Sequence, residues 1–241
     1  MASPESVSAI FPMQQLFDLV IFDEASQCFA ERGIPSLYRG RQVLIAGDTK
    51  QLRPFELYQA RWDEGSEDIE LEIDSLLELT SRYFDTSFLN GHYRSQSLEL
   101  IDFSNHNFYR GKLQLMPDRK VLEQKKPAIS YILVDGIWEN QTNQREAEKV
   151  VDVVLEVMRQ HPEKEIGVVS FNQPQQELVQ DLLDSSAAKA GLALPQSILI
   201  KNIENVQGDE RDVIIFSIGY AADKAGKMNM HFGSLNIAGG E

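Results

Sequence analysis

The chain has 241 residues, of which 42% are hydrophobic and 25% charged, and this composition is that of a globular protein with one large or two small domains. Its single cysteine, Cys28, excludes an internal disulfide and a metal site built from several cysteines. The net charge of −14 argues against a domain that binds nucleic acid through bulk positive charge. Eight of the 37 acidic residues fall within residues 63–78, so a local basic groove elsewhere is compatible with this charge.

Two further absences concern membranes and export. No apolar run approaches the roughly 18 residues needed to cross a membrane. The N-terminal residues lack the basic region and long apolar core of a secretory signal. We therefore expect a cytoplasmic protein.

The N-terminal part of the chain predicts a short helix followed by two buried strands. Residues 3–5, Ser-Pro-Glu, are typical of a helix start, with Ser3 as the cap and proline at the first helical position. Apolar runs predict strands over residues 19–22 and 42–46, and each run ends in a carboxylate. A helix of about a dozen residues or fewer fits between them, which is the length of a crossover between parallel strands.

Residues 86–241 predict a second series of alternating strands and helices. Strands are predicted over residues 86–89, 129–134, 166–170, 197–200 and 212–218, and helices over residues 97–109, 143–159 and 173–185. The helix at 143–159 has the clearest pattern, since its apolar residues recur at spacings of three and four. Alternation of this kind predicts a parallel sheet covered by helices on both faces.

The first strand delivers two adjacent carboxylates, Asp23 and Glu24, to its end. This pattern suits phosphoryl transfer, because one carboxylate can hold Mg²⁺ that bridges phosphates and the other can orient or deprotonate an attacking water. Acid pairs at strand ends are common, so a cap for the following helix is the alternative interpretation. Gln51, in the GDTKQL segment after the second strand, can hydrogen-bond to a γ-phosphate or to the catalytic water.

Two segments of the second series also carry candidate residues. Arg94 lies in a Tyr-Arg-Ser segment, and a guanidinium there could stabilise charge that develops during hydrolysis. A surface ion pair is the alternative interpretation of Arg94. Residues 205–212, NVQGDERD, precede a predicted strand and contain a glycine that allows close backbone approach, although an ordinary polar turn has the same composition.

In this order, the four segments resemble motifs of the superfamily 1 helicases, in particular the branch that includes the nonsense-mediated decay helicase and its bacterial relatives. The matching pieces are FDLVIFDEASQ for motif II, VLIAGDTKQLRP for motif III, LNGHYRSQSLELIDFSNHNFYRGKL for motif IV and ILIKNIENVQGDERDVIIFS for motif V. The resemblance covers about residues 1–60 and 86–241. Four motifs in order are far more specific than any one of them.

The resemblance implies an α/β chain with the RecA-like P-loop NTPase fold, in which helices cover both faces of parallel sheets. Residues 1–60 would be the C-terminal part of a first RecA-like domain, and residues 61–85 an acidic linker. Residues 86–241 would be a second RecA-like domain that stops before motif VI. The last ten residues have the composition of a loop, so we expect the chain to be truncated.

The resemblance also implies roles for residues in the first three motifs. Asp23 would match the Mg²⁺-binding acid and Glu24 the residue that activates water. Gln51 would match the glutamine that couples the γ-phosphate to the nucleic-acid site. Arg94 would match the arginine finger donated by the second RecA-like domain.

In motif V, three residues would match the loop that contacts nucleotide and links it to the bound strand, namely Gln207, Gly208 and Glu210. Asn202 stands where a serine or threonine usually touches a nucleic-acid phosphate, and this is a departure from the family pattern.

The sequence contains no G-x-x-x-x-G-K-[ST] phosphate loop. We therefore expect an internal piece of an ATP-dependent DNA or RNA helicase or translocase. It would use ATP and Mg²⁺ and act on single-stranded DNA or RNA. Its partner would be the remainder of the same polypeptide, and the isolated chain would be inactive.

One alternative is a degenerate RecA-like scaffold whose acidic residues 63–78 form a docking surface. Another is a metal-dependent nuclease that uses Asp23 and Glu24.

Overall fold

The computed structural model describes residues 1–51, 54, 75–95, 97–115 and 127–228. The chain divides into two compact units, Met1–Ser130 and Tyr131–Glu241. Residues 61–74 of the predicted linker and the predicted terminal loop at 232–241 lie outside the described residues. Within the described ranges, no helix combines the length and the apolar character that a membrane crossing requires.

The first unit begins with a short helix and two parallel strands joined by a second helix. These elements are α1 (Pro4–Ile10), β1 (Phe17–Phe22), α2 (Ala30–Leu37) and β2 (Gly40–Ile45). The first helix starts as predicted, since Ser3 Oγ accepts a hydrogen bond from Ser6 N at 3.2 Å. β1 pairs with β2 in parallel, with Leu19 opposite Gln42. The two predicted strands and the crossover helix are therefore confirmed.

One face of this two-stranded sheet packs against helices. Phe22 lies in a core cluster with Ala25 and Leu76, and Leu76 opens the helix α3 (Leu76–Ser81). Ser75 caps this helix, because its Oγ accepts a hydrogen bond from Glu78 N at 3.2 Å. Residues 75–81, which belong to the predicted linker, thus pack on the core of the first unit.

The opposite face of the same sheet is open to solvent. Side chains alternate between the faces of a strand, so Leu19 and Ile21 of β1 share this face with Leu44 of β2. Their side chains are 47%, 61% and 50% exposed, respectively. A parallel sheet is normally covered on both faces, so this apolar surface is unusual for the class.

The first unit also contains a second, very short parallel pair. Its elements are β3 (Gly91–His92), α4 (Leu98–Asn107) and β4 (Gln114–Leu115), and Gly91 pairs with Gln114. The predicted helix at 97–109 is confirmed with shorter ends. The predicted strand at 86–89 is wrong, because those residues form no ladder and the strand begins only at Gly91. An apolar run becomes a strand only where a neighbouring chain supplies hydrogen-bond partners.

The second unit contains a three-stranded parallel sheet with two long helices. Its elements are α5 (Gln144–Gln160), β5 (Ile166–Ser170), α6 (Gln173–Ala190), β6 (Leu199–Asn202) and β7 (Val213–Ser217). The strand order is β6-β5-β7, and Val168 at the centre pairs with Ile200 on one side and Ile215 on the other. This parallel α/β arrangement agrees with the predicted RecA-like fold.

The core of the second unit lies between β5 and the two helices. It is formed by Ala147, Val150, Val151, Val154, Ile166, Val168, Val179 and Leu183. Both helices have asparagine caps, since Asn143 Oδ1 accepts from Glu146 N at 3.1 Å and Asn172 Oδ1 from Gln175 N at 2.9 Å.

The predicted strand at 129–134 is wrong, because residues 129–138 form neither helix nor strand. Among the residues that the structure describes, no strand pairs with this segment. Tyr131 and Leu133 are exposed side chains within it. The apolar residues that suggested a buried strand are therefore mostly exposed.

Candidate active site

The carboxyl ends of β1 and β2 stay together beyond the strands themselves. Ala46 N donates to Phe22 O at 2.8 Å, and Ala25 N donates to Ala46 O at 2.9 Å. A Cβ atom at Gly47 would lie only 3.0 Å from Ser26 N, so the glycine allows the two segments to approach closely. The segment that carries Asp23 and Glu24 therefore lies beside the segment that leads to Asp48 and Gln51.

Asp23 and Glu24 are both exposed at this edge. Glu24 has left-handed backbone angles, φ 53° and ψ 41°, which are uncommon for a residue other than glycine. Asp23 Oδ1 accepts a hydrogen bond from Glu24 N at 3.0 Å, and Glu24 Oε2 accepts one from Gln27 Nε2 at 3.4 Å. Glu24 makes no side-chain cap to the turn at Ala25–Gln27, and α2 has Phe29 at its cap position, so the helix-cap interpretation is wrong.

Asp48 organises the loop that carries Gln51. Its Oδ1 accepts a hydrogen bond from Lys50 N at 2.9 Å, and its Oδ2 accepts one from Gln51 Nε2 at 3.1 Å. The backbone adds a turn, in which Gln51 N donates to Asp48 O at 3.2 Å. The carboxylate of Asp48 thus holds the side-chain amide of Gln51 by a direct hydrogen bond.

A residue that the sequence did not single out completes this loop. The hydroxyl of Tyr109, 61 residues further along the chain, donates to Asp48 Oδ2 at 2.6 Å. Burial raises the pKa of the Tyr109 hydroxyl well above its ordinary value, and the hydrogen bond and the charge of Asp48 raise this pKa further. No local pattern reveals this contact, because the two residues meet only through the fold.

Arg94 is exposed and lies two residues after β3, within the same compact unit as Asp23, Glu24 and Gln51. The neighbouring imidazole of His92 accepts a hydrogen bond at Nε2 from Ser95 N at 3.1 Å. Burial lowers the pKa of His92, and the positive charge of Arg94 lowers this pKa further. The turn that presents Arg94 is therefore built around a neutral histidine at neutral pH.

The predicted residues of motif V lie in the second unit, after β6 and a short 3₁₀ turn at Ile203–Asn205. Gly208 has φ +84°, a conformation that favours glycine, and Glu210 is exposed. Gln207 is half-buried beside them. The predicted roles of these three residues stay predictions.

Two contacts at this loop were not evident from the sequence. Lys201 Nζ lies 2.6 Å from Asp209 Oδ2, so an ion pair ties the loop to the end of β6. Asn202 is only 8% exposed, and its Oδ1 accepts a hydrogen bond from Asn205 Nδ2 at 2.7 Å. A contact of Asn202 with a nucleic-acid phosphate would have to form beside this existing hydrogen bond.

The parallel α/β architecture, with acidic residues at the carboxyl ends of β1 and β2, agrees with the RecA-like P-loop NTPase fold. Two family models, each described as an AAA domain, match residues 73–235 and residues 5–57. The first match alone covers more than half of the chain. The chain therefore belongs to the AAA-domain family, in the superfamily 1 helicase group that its motifs resemble.

Several helicases are similar to the chain over most of its length. An uncharacterized ATP-dependent helicase of Mycoplasma pneumoniae is 40% identical over 237 residues, which are 90% of the chain and 21% of that protein. The corresponding protein of Mycoplasma genitalium is 37% identical over 236 residues, with the same coverage. Helicase SEN1 of Saccharomyces cerevisiae is 26% identical over 244 residues, which are 92% of the chain and 10% of that helicase. The chain thus spans about a fifth or less of the length of these relatives.

Proposed function

We propose that this chain is part of the motor of an ATP-dependent helicase or translocase that moves on single-stranded DNA or RNA. The observation that carries the proposal is the edge of the first unit, where the backbone hydrogen bonds of Ala25 and Ala46 hold the Asp23-Glu24 segment beside the Asp48 loop. The named activity of the relatives, ATP-dependent helicase, supports the same conclusion.

The donor set at this edge suits Mg²⁺ shared with a nucleotide. Asp23 is exposed, and one of its carboxylate oxygens accepts the hydrogen bond from Glu24 N. Magnesium is usually held by one or two carboxylates together with substrate phosphates. Among the described residues, no cluster of three or more His, Cys, Asp or Glu side chains could hold a metal ion.

In this proposal Asp23 would hold magnesium, which would partly neutralise the charge of the γ-phosphoryl group of ATP. Glu24 accepts a proton from the attacking water, and the hydrogen bond from Gln27 Nε2 keeps its carboxylate in a defined orientation. Gln51, positioned by Asp48, responds to the presence of the γ-phosphate.

The remaining predicted residues have proposed roles in charge stabilisation and in coupling. Arg94 stabilises charge that develops on the transferred phosphoryl group, and an exposed guanidinium is suited to this role. The loop with Gln207, Gly208 and Glu210 links nucleotide to the bound strand, and Asn202 contacts that strand. The linker between the two RecA-like domains lies within residues 61–85.

The remainder of the same polypeptide is the proposed partner of the first unit. The open apolar face with Leu19, Ile21 and Leu44 supports this, because burial of such a face stabilises a parallel sheet. The phosphate loop would come from that polypeptide, since the sequence lacks the G-x-x-x-x-G-K-[ST] pattern. We accordingly expect almost no ATP hydrolysis by the isolated chain.

The proposal is tested by measuring ATP hydrolysis by the intact protein with and without a single-stranded DNA or RNA oligonucleotide. We expect hydrolysis that the oligonucleotide stimulates, without cleavage of the strand. Nucleotide-independent, Mg²⁺-dependent cleavage would favour a nuclease instead. If the intact protein neither hydrolyses ATP nor cleaves the strand, the scaffold is favoured instead.

A further inference from the structure

The Tyr109–Asp48 hydrogen bond joins two segments that are distant in sequence and both close to predicted site residues. A hydroxyl that donates to a carboxylate at 2.6 Å makes a charge-assisted hydrogen bond, which is roughly twice as strong as a neutral one. The oxygen that accepts it, Asp48 Oδ2, also accepts the hydrogen bond from Gln51 Nε2. Tyr109 and Gln51 therefore share one acceptor atom.

Tyr109 is held firmly on its own side. Its backbone N donates to Asn105 O at 3.2 Å, in the turn that ends α4. The side chain of Asn105 makes two hydrogen bonds with the backbone of Leu113. Its Nδ2 donates to Leu113 O at 3.2 Å, and its Oδ1 accepts from Leu113 N at 3.0 Å. The ring of Tyr109 also lies 6.5 Å from that of Phe88, measured between centroids. These contacts fix the direction in which the hydroxyl points.

The same turn connects to the segment that carries Arg94. It leads into β4, where Gln114 N donates to Asn90 O at 2.7 Å and Gln114 pairs with Gly91 of β3. Arg94 follows β3 by two residues. A continuous series of paired strands and hydrogen bonds therefore runs from the Arg94 segment through Tyr109 and Asp48 to Gln51.

We propose that Tyr109 is a positioning residue that, through Asp48, holds Gln51 in a fixed relation to the Arg94 segment. Tyr109 touches neither the nucleotide nor the reacting atoms in this scheme. It sets the orientation of Asp48, and Asp48 sets that of Gln51. Its effect on ATP hydrolysis rests on the function proposed above, whereas its effect on the loop is a property of the chain itself.

The effect on the loop is tested by amide hydrogen exchange of the chain, measured by NMR without nucleotide. The amide of Lys50 is the reporter, because it donates to Asp48 Oδ1 at 2.9 Å. Tyr109→Phe keeps the ring and removes only the hydroxyl, and we expect exchange at Lys50 to become about fivefold faster. Tyr83→Phe removes the same atom from an exposed tyrosine and should leave this rate unchanged. An unchanged rate at Lys50 in Tyr109→Phe would overturn the proposal.

The effect on catalysis is tested in the intact protein. We expect Tyr109→Phe to lower kcat for ATP hydrolysis about fivefold with little change in KM, since an orienting contact is lost rather than a binding contact. In the Gln51→Ala background the same substitution should have almost no further effect, because Tyr109 acts through Gln51. Equal, additive losses in both backgrounds would contradict the proposal. A wild-type protein without hydrolysis would refute the proposed function, and the exchange result would still decide the role of Tyr109.

Discussion

The strands β5 and β1 are both parallel strands with apolar sequences, but they differ in what covers them. All five residues of β5 are buried, and the strand has β6 on one side and β7 on the other. In β1 only Phe22 is buried, and β2 is its partner on one side. The difference indicates that β5 is the centre of a packed core in the second unit. The sheet of the first unit instead has exposed carboxylates at its edge and an apolar surface on one face.

The largest expected difference in stability comes from making the same substitution, leucine to alanine, in each of the two units. Leu183→Ala removes a fully buried side chain from the core of the second unit and should destabilise the chain by about 2–5 kcal/mol. Leu19→Ala, on the open face of β1, should cost less than about 1 kcal/mol. Urea denaturation of each variant measures both values. Equal losses would show that the face of β1 is already covered.

A smaller effect concerns buried polar groups. Gln175 is almost fully buried, where its Oε1 accepts from Asn143 N at 2.7 Å and its Nε2 donates to Ser217 Oγ at 3.2 Å. Gln175→Ala leaves the buried Asn143 N–H without this acceptor and should cost about 1–3 kcal/mol. Gln27→Ala, at the exposed edge of the first unit, should cost less than about 0.5 kcal/mol in the same denaturation experiment. A loss at Gln27 as large as that at Gln175 would contradict the contrast between the units.

The smallest expected effect is the protonation of His92 in the first unit. Its pKa lies below the ordinary value of 6.5 because burial, and then the charge of Arg94, disfavour the imidazolium. The neutral form is therefore favoured in the folded chain, so its contribution to stability is present above pH 6.5. That contribution is lost as the pH falls from 6.5 to the folded-state pKa.

An NMR titration of the His92 ring measures this pKa directly. Arg94→Ala should raise the pKa without returning it to 6.5, since burial is the larger cause. Arg41→Ala, at an arginine that pairs with Asp18, is the matched control and should leave the pKa of His92 unchanged. If Arg94→Ala leaves the pKa of His92 unchanged, the charge of Arg94 does not contribute to lowering that pKa.

Elements with a local signal were predictable from the sequence. The caps at Ser3 and Asn143 mark helix starts because their side chains satisfy backbone N–H groups nearby. The strands at Phe17–Phe22 and Ile166–Ser170 follow from apolar runs that end at polar residues. Because these signals depend only on neighbouring residues, the parallel α/β class and the position of Asp23 at a strand end were both predictable.

Features that need a partner distant in sequence were not predictable. Residues 86–89 and 129–134 have strand composition, but a strand also needs a neighbour with free hydrogen-bonding groups. The Tyr109–Asp48 contact joins residues 61 positions apart, and no spacing rule connects them. The ion pair of Lys201 with Asp209 likewise depends on how the loop after β6 folds back.

The most direct test of the central claim is ATP hydrolysis by the intact protein with Glu24→Gln, measured in the presence of a single-stranded oligonucleotide. We expect a loss of at least about 100-fold, because the substitution removes a proton acceptor and keeps the shape of the side chain. Glu31→Gln makes the same change at an exposed residue of α2 and should retain activity. Hydrolysis at the wild-type rate in Glu24→Gln would contradict the assignment of the β1–β2 edge as the catalytic edge.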